Sequence, residues 1–269
     1  MLTAYYTRSD MNSGVVGIGS QSFDVSGSGE FYGLKAVYAL PKIGNLSHNA
    51  SVAWDSRYFE SNVAFQGAAL PASRVASRPI SLGYALHSDR AEAKFRVEAE
   101  YVFNTDGGSA NDETSYTAAR AGAKQYWNAV RSGIDASWTL KGKLRMQYSN
   151  DALIPGEQIG IAGLTTVRGF REREVTGDKG YVVNVEGHGP KLWGGLAPFV
   201  FFDAGGRRQV VPTIGPSPTN EFISSAGAGV RWQWRGLDVA ATWAFVIDGA
   251  AGGTSSGHQK GYLTAFYRF

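Results

Sequence analysis

Between Glu92 and Phe103 the chain alternates with period two. Phe95, Val97, Ala99, Tyr101 and Phe103 fall on one face, and Glu92, Lys94, Arg96, Glu98 and Glu100 on the other. That is the period of a β-strand, whose successive side chains point to opposite sides. The charged face is a wet face, which a soluble sandwich could also show to solvent, so one strand decides little. The pattern recurs, however. In residues 126–140, Tyr126, Val130, Ile134, Ala136, Trp138 and Leu140 oppose Arg131, Gly133, Asp135 and Thr139. The KGK run at 141–143 reads as a turn, after which Leu144, Met146 and Tyr148 alternate with Arg145, Gln147 and Ser149. Comparable segments near 1–9, 13–24, 30–40, 49–59, 78–87, 181–188, 196–206, 222–234, 237–247 and 261–269 bring the expectation to about thirteen strands.

The connections fall into two alternating classes. Those near 87–91, 140–143, 188–195 and 235–236 are short; those near 60–77, 104–125, 151–180, 207–221 and 248–260 are long. Short turns at one rim and long loops at the other are how outer-membrane barrels are built, and a sandwich gives no reason for the alternation. Aromatic residues recur near strand ends, among them Tyr32, Tyr38, Trp54, Tyr58, Trp138, Trp232, Trp234, Trp243 and Phe245. They suit the two girdles at the lipid headgroups, with soluble-core aromatics as the alternative. The final YLTAFYRF alternates Leu263, Ala265, Tyr267 and Phe269. An aromatic last residue on such a strand resembles the signal read by the bacterial outer-membrane insertion machinery, with Tyr267 and Phe269 as its candidate residues. The expected fold is all-β: one transmembrane antiparallel β-barrel domain over residues 1–269, in contact with outer-membrane lipids.

Composition narrows the function. With 35 glycines, 13% aromatic and 18% charged residues, the chain is poorly suited to a helix bundle. No run of eighteen apolar residues is present, which excludes a transmembrane helix and says nothing against a barrel. The net charge of +3 comes from interspersed residues, so no nucleic-acid partner is implied. The absence of cysteine excludes disulfides and thiolate metal sites, and neither a metal nor a cofactor is expected. His48, His87, His188 and His258 fall in predicted turns or loops without a Ser/His/Asp spacing, so no catalytic residues and no enzyme activity are expected. The GVVGIG run at 14–19 lacks the helix and Lys-Ser/Thr of a phosphate loop. The start, MLTAYYTRSD, has no export-signal pattern.

The most distinctive stretch lies at 151–205: IPGEQIGIAGLTTVRGFREREVTGDKGYVVNVEG, then LAPFVFFDAGG. Val167-Arg168-Gly169-Phe170, Gly177-Asp178-Lys179-Gly180, the strand with Asn184 and Glu186, and Phe201-Phe202-Asp203-Ala204-Gly205 match in order and spacing the two-partner secretion transporters. The chain resembles that haemolysin secretion/activation (ShlB/FhaC/HecB) family, within the outer-membrane assembly superfamily, over most of its length and most closely from about 126 to 269. It departs at Ile159 and Ala162, where the family usually carries an aromatic and paired glycines.

The resemblance implies that residues 151–180 fold back into the barrel lumen, with Arg168 at the loop tip contacting Asp203. Phe170 is expected against aromatic wall residues and Gly169 at a tight turn. Gly177, Asp178, Gly180, Glu186 and Phe201 are candidate supports, Asp178 and Glu186 being the weaker because acids near strand starts are commonly solvated. The implied function is a protein-conducting pore that exports a large haemolysin- or adhesin-type exoprotein. The alternative is an insertion factor of the same superfamily, which shares VRGF, while a plain porin leaves that loop unexplained. The family's sixteen-stranded barrel follows a signal peptide, a plug helix and two periplasmic domains. An odd strand count with Met1 at the extracellular rim is therefore expected to reflect an N-terminally incomplete chain.

Overall fold

The alternating segments pair in sequence order. The computed structural model describes residues 1–18, 21–65, 68–69, 73–89, 94–211 and 218–268. Its strands are β1 (Leu2–Ile18), β2 (Gln21–Ala39), β3 (Ser47–Phe65), β4 (Pro79–Asp89), β5 (Lys94–Asn104), β6 (Asn128–Ser137), β7 (Leu140–Tyr148), β8 (Lys179–His188), β9 (Leu196–Arg208), β10 (Asn220–Trp234), β11 (Leu237–Asp248) and β12 (Gln259–Tyr267). Each is hydrogen-bonded to the next, so they form one antiparallel meander with β1 and β12 at its open edges. Ser73–Ser77 adds a short strand against β3.

Among the described residues twelve long strands stand beside the expectation of about thirteen, and the difference lies in residues 1–40, which form two long strands instead of three. The Gly/Ser-rich centre of β2 reads as a turn in isolation. Pairing on both sides keeps it extended, Gly27 standing opposite Met11 on one side and Ser61 on the other. The even count places Met1 and Tyr267 at the same, short-turn rim, not Met1 at the long-loop rim. The KGK run is likewise no turn: the chain reverses at Trp138–Thr139, and Lys143 lies in β7 opposite Asp135 of β6. The connections β2–β3, β4–β5, β6–β7, β8–β9 and β10–β11 are short, and those after β3, β5, β7, β9 and β11 are longer. Three of the four histidines sit on strands and not in turns, His48 in β3, His87 in β4 and His188 at the end of β8, each close to a strand end. Gly14–Ile18 is part of β1 and forms no phosphate loop.

The two faces of the sheet differ in chemistry. Outward positions carry exposed Val97, Tyr101, Val130, Ile134, Val200, Phe202, Val230, Trp243 and Leu263, an apolar surface suited to lipid and not to water. Aromatics mark the short-turn rim, where Trp232 and Trp234 stack at 6.0 Å and Trp138 is 80% exposed. Tyr267 is exposed on the edge strand β12; Phe269, the other half of the expected insertion signal, lies outside the described residues. No helix among the described residues is long and apolar enough to cross a membrane.

The apolar core therefore lies on the inner side, built by loops. Tyr116 of α1 (Glu113–Ala119), Trp127, Leu153 and Ile154 pack on Val75 and Val102. Ile161, Val167, Phe170 and Val175 pack on Val182, Ile223 and Val246. The Asp112 carboxylate caps α1 by accepting from the Ser115 amide at 2.9 Å.

If Val200 faces acyl chains, Val200→Arg should destabilise the inserted protein by about 2–4 kcal/mol near the bilayer midplane. Denaturant titration in lipid vesicles measures this; an unchanged midpoint would contradict the assigned face.

Candidate functional site

Residues 149–178, between β7 and β8, return into the sheet as a hairpin with a stem and a tip. The stem is a two-pair antiparallel ladder, Ile159 with Gly177 and Gly160 with Thr176. The tip closes on itself: the Thr166 amide donates to the Gly163 carbonyl at 3.2 Å, the Leu164 amide to the Glu172 carboxylate at 3.1 Å, and the Arg173 amide to the Ala162 carbonyl at 2.9 Å. Gly169 holds φ at 102°, a region that side chains disfavour. A Cβ there would also lie 2.7 Å from Val246. Its amide donates to the Tyr262 hydroxyl at 2.8 Å, and Lys260 donates to the Phe170 carbonyl at 2.8 Å, which fixes the tip to β12.

At the tip Arg168 meets two acidic side chains of the wall. Its Nε and Nη2 donate to the two Asp203 oxygens at 2.6 and 2.8 Å, and its backbone amide donates to the same carboxylate at 3.2 Å. Its Nη1 donates to Glu186 at 2.7 Å. The guanidinium lies 3.5 Å from the centre of the Phe201 ring, so charge and π-face act together. The geometry follows from the sheet: Asp203 pairs with Asn184 across β8–β9, and Phe201 with Glu186, all on the inward face. Asn184 donates to Asp203 at 2.8 Å and to the Thr166 carbonyl at 2.7 Å, tying the wall acid to the loop backbone. Glu186 also meets His188 at 3.2 Å.

Two further acids of the loop are buried in cationic surroundings. Asp178 is wholly buried and receives Arg120 through two nitrogens at 2.6 and 2.9 Å, the Leu153 and Val210 amides at 2.9 and 2.7 Å, and Gln158 at 3.1 Å. It joins three long loops and is not a solvated acid at a strand start. Glu157 is 1% exposed and receives Arg57 at 2.7 Å, Arg131 at 2.9 Å and the Ser77 hydroxyl at 2.6 Å. Arg57 is itself held by Asp55 at 2.6 Å, and Asp55 accepts from the Tyr5 hydroxyl. Burial alone would push both loop carboxyls up. Arg57 and Arg131 outweigh it at Glu157, and Arg120 with the two amides outweighs it at Asp178, so both stay below the usual carboxylate range.

The structure thus brings Arg168, Asp203, Glu186 and Phe201 into one contact. Gly177 and Gly180 are small because β9 passes close: a Cβ on Gly177 would lie 2.9 Å from the Arg207 Cβ, and one on Gly180 would lie 2.8 Å from the Gly206 carbonyl. Phe170 lies in a buried cluster with Val167, Val175, Ile223 and Val246, and the Arg168 guanidinium lies over the Phe201 ring. Sequence reasoning did not single out Glu157, Arg57, Arg120 or Tyr262, and it named Asn184 only as part of a matching strand. The available signal was that inward charges such as Arg57 and Arg131 need counter-charges in a lumen, but a strand pattern does not say which loop residue supplies them. Among the described residues no His/Cys/Asp/Glu group is arranged to hold a metal ion.

Breaking the buried pair from one side, as in Asp203→Ala, should cost about 3–5 kcal/mol because Arg168 loses its main partner, and more than the apolar double replacement of Arg168 and Asp203. Denaturant midpoints of the three variants measure the difference. Glu157 and Asp178 have folded-state pKa values below their unfolded ones, so their contribution is full above about pH 4 and is lost as the pH falls through the folded values. Protection of the amides of 153–178 from hydrogen exchange, relative to their intrinsic rates, should therefore be high at neutral pH and fall under acid conditions before that of the barrel strands.

The family model for the haemolysin secretion/activation protein ShlB/FhaC/HecB matches residues 1–232. No curated protein sequence matches the chain significantly. Among solved structures, CdiB from Escherichia coli is similar with a TM-score of 0.75 at 14% identity, over 100% of this chain and 50% of that one. CdiB from Acinetobacter baumannii gives 0.65 at 14% identity, over 98% and 47%. BamA from Haemophilus ducreyi, in a form lacking POTRA domains 1–3, gives 0.55 at 13%, over 98% and 62%. The chain thus spans about half the length of the CdiB chains, whose likeness concerns the fold. The match over residues 1–232, together with an antiparallel sheet that is apolar outside and charged inside, shows that the chain belongs to the ShlB/FhaC/HecB family of outer-membrane β-barrel secretion proteins, which is not a family of enzymes.

Proposed function

We propose that this chain forms part of the wall, and the lumenal loop, of a pore that exports a large unfolded exoprotein of haemolysin or adhesin type across the outer membrane. The observation that carries the reading is the folding of residues 149–178 into the lumen, with Arg168 held by Asp203 and Glu186. An ionically held loop inside a barrel is a removable obstruction: it is rigid while its charges are paired and is released without breaking any strand of the wall. The inner face suits an unfolded peptide. A cavity of about 460 Å³ beneath the loop is lined by Lys35, Arg96, Glu98, Glu100, Arg145 and Gln147. Mixed charges interact with any peptide backbone while giving no continuous apolar strip on which it could stick. Transport needs no nucleotide chemistry in this scheme, since folding of the exoprotein outside would draw the chain outward. The remaining partners are the surrounding lipids and the machinery that inserts the barrel.

Arg168→Ala and Asp203→Asn should each lower the amount of exoprotein released to the medium, while the amount of inserted barrel falls less. Release is measured against barrel content in purified outer membranes. Undiminished release from both variants would overturn the role given to the pair.

A further inference from the structure

The loop is fastened at two places by contacts of opposite polarity. At the tip a loop cation, Arg168, meets wall anions on β8 and β9. At the stem a loop anion, Glu157, meets wall cations, Arg57 on β3 and Arg131 on β6. Asp178 fastens the other strand of the stem at the same base end, on Arg120, one residue beyond the ladder that pairs Thr176 and Gly177 with Gly160 and Ile159. Both strands of the stem are thus tied to surrounding structure at its base, and they are tied to each other by the ladder. Gln147 reinforces this by donating to the Glu157 carbonyl at 3.1 Å, and Arg173 by donating to the Pro155 and Gln158 carbonyls at 2.7 and 3.0 Å.

The tip is built differently. Residues 163–172 close partly on themselves and join the stem at a neck of Ala162 and Arg173 and through the Val167 amide, which donates to the Ile161 carbonyl at 3.0 Å; they are held to the wall by Arg168, by Tyr262 and Lys260 of β12 and by the packing of Val167 and Phe170. Left-handed backbone flanks that neck, with φ of 138° at Gly163 and 55° at Arg173. Leu164 and Thr165 are exposed, so water reaches the tip. The wall acids at the tip also have other partners: Asp203 keeps Asn184, and Glu186 keeps His188. Withdrawing Arg168 therefore leaves no wall acid without a polar partner. Withdrawing Glu157 would remove the acceptor of the fully buried Ser77 hydroxyl together with a counter-charge shared by two guanidiniums.

We propose that Glu157 is a positioning residue of the loop. With Asp178 it pins the stem, so that transport displaces only the tip, residues 163–172, about the neck at Ala162 and Arg173. The inference rests on the export reading for its purpose, and on the geometry alone for the division into a fixed stem and a mobile tip. The loop then swings aside as a flap and is not drawn out as a plug.

The chain contains no cysteine, so single nitroxide labels can be placed at Thr165→Cys on the tip and Pro155→Cys beside Glu157, in the full-length protein inserted in lipid vesicles. Arg168→Ala should raise the mobility of the tip label several-fold and leave the stem label unchanged. Glu157→Gln should mobilise the stem label, and Glu157→Asp should restore it in part. If Glu157→Gln fails to insert, Arg131→Gln tests the same contact with a smaller effect, because Arg57 remains on the carboxylate. Equal mobilisation of both labels by Arg168→Ala would overturn the proposal, as would a stem label that stays immobile in Glu157→Gln or Arg131→Gln. Exoprotein release by the unlabelled parent is measured alongside. Its absence would count against the export reading and leave the mobility result to decide the flap.

Discussion

In hydrocarbon no water is available to satisfy a backbone amide, and the rest of this structure follows from that constraint. Pairing every strand with the next satisfies the amides everywhere but at the two open edges, and the period of two then sends alternate side chains outward to lipid and inward to water. Outward positions are filled by Val200, Phe202, Trp243 and Leu263 and their neighbours, while Arg57, Arg131, Glu186 and Asp203 turn inward. A wall that directs its charges to one side must find counter-charges there. In this protein a single loop supplies many of them.

That arrangement explains why the loop is so highly charged and yet so well buried. Arg168, Glu157 and Asp178 each lose most of their water, at a cost that a lone contact would not offset. Each is instead met by several directed donors or acceptors, and the Arg168–Asp203 contact uses two parallel hydrogen bonds together with the face of Phe201. The apolar residues of the loop fill the space between the anchors. Phe170 and Val167 pack against Val246 and Ile223 of the wall, so the inner face of the sheet has a core of its own although its outer face is apolar.

Much of the fold was legible because alternation is a local property. The faces of β5, β6 and β7, the alternation of short and long connections, and the position of Asp203 on the inward face of β9 could all be read from neighbouring residues. The strand count near the start was not legible in this way. Gly and Ser in β2 favour a turn locally, and only β1 and β3 on either side hold them extended. The turn between β6 and β7 was misplaced for a related reason: Lys-Gly-Lys looks like turn chemistry until Lys143 is set opposite Asp135.

For the site, it is the resemblance of VRGF and FFDAGG to the family's motifs that implied a contact between Arg168 and Asp203. The remaining contacts depend on residues far apart in the chain, Arg57 with Glu157 and Arg120 with Asp178, and no local pattern encodes which inward arginine a loop acid will reach. The sequence by itself determined that this protein is a sheet with one lipid face and one wet face, because side-chain alternation needs only neighbours. The tertiary structure alone decided how the loop is held, with its cation on one part of the wall and its anion on another, because pairing buried charges requires segments a hundred residues apart to meet.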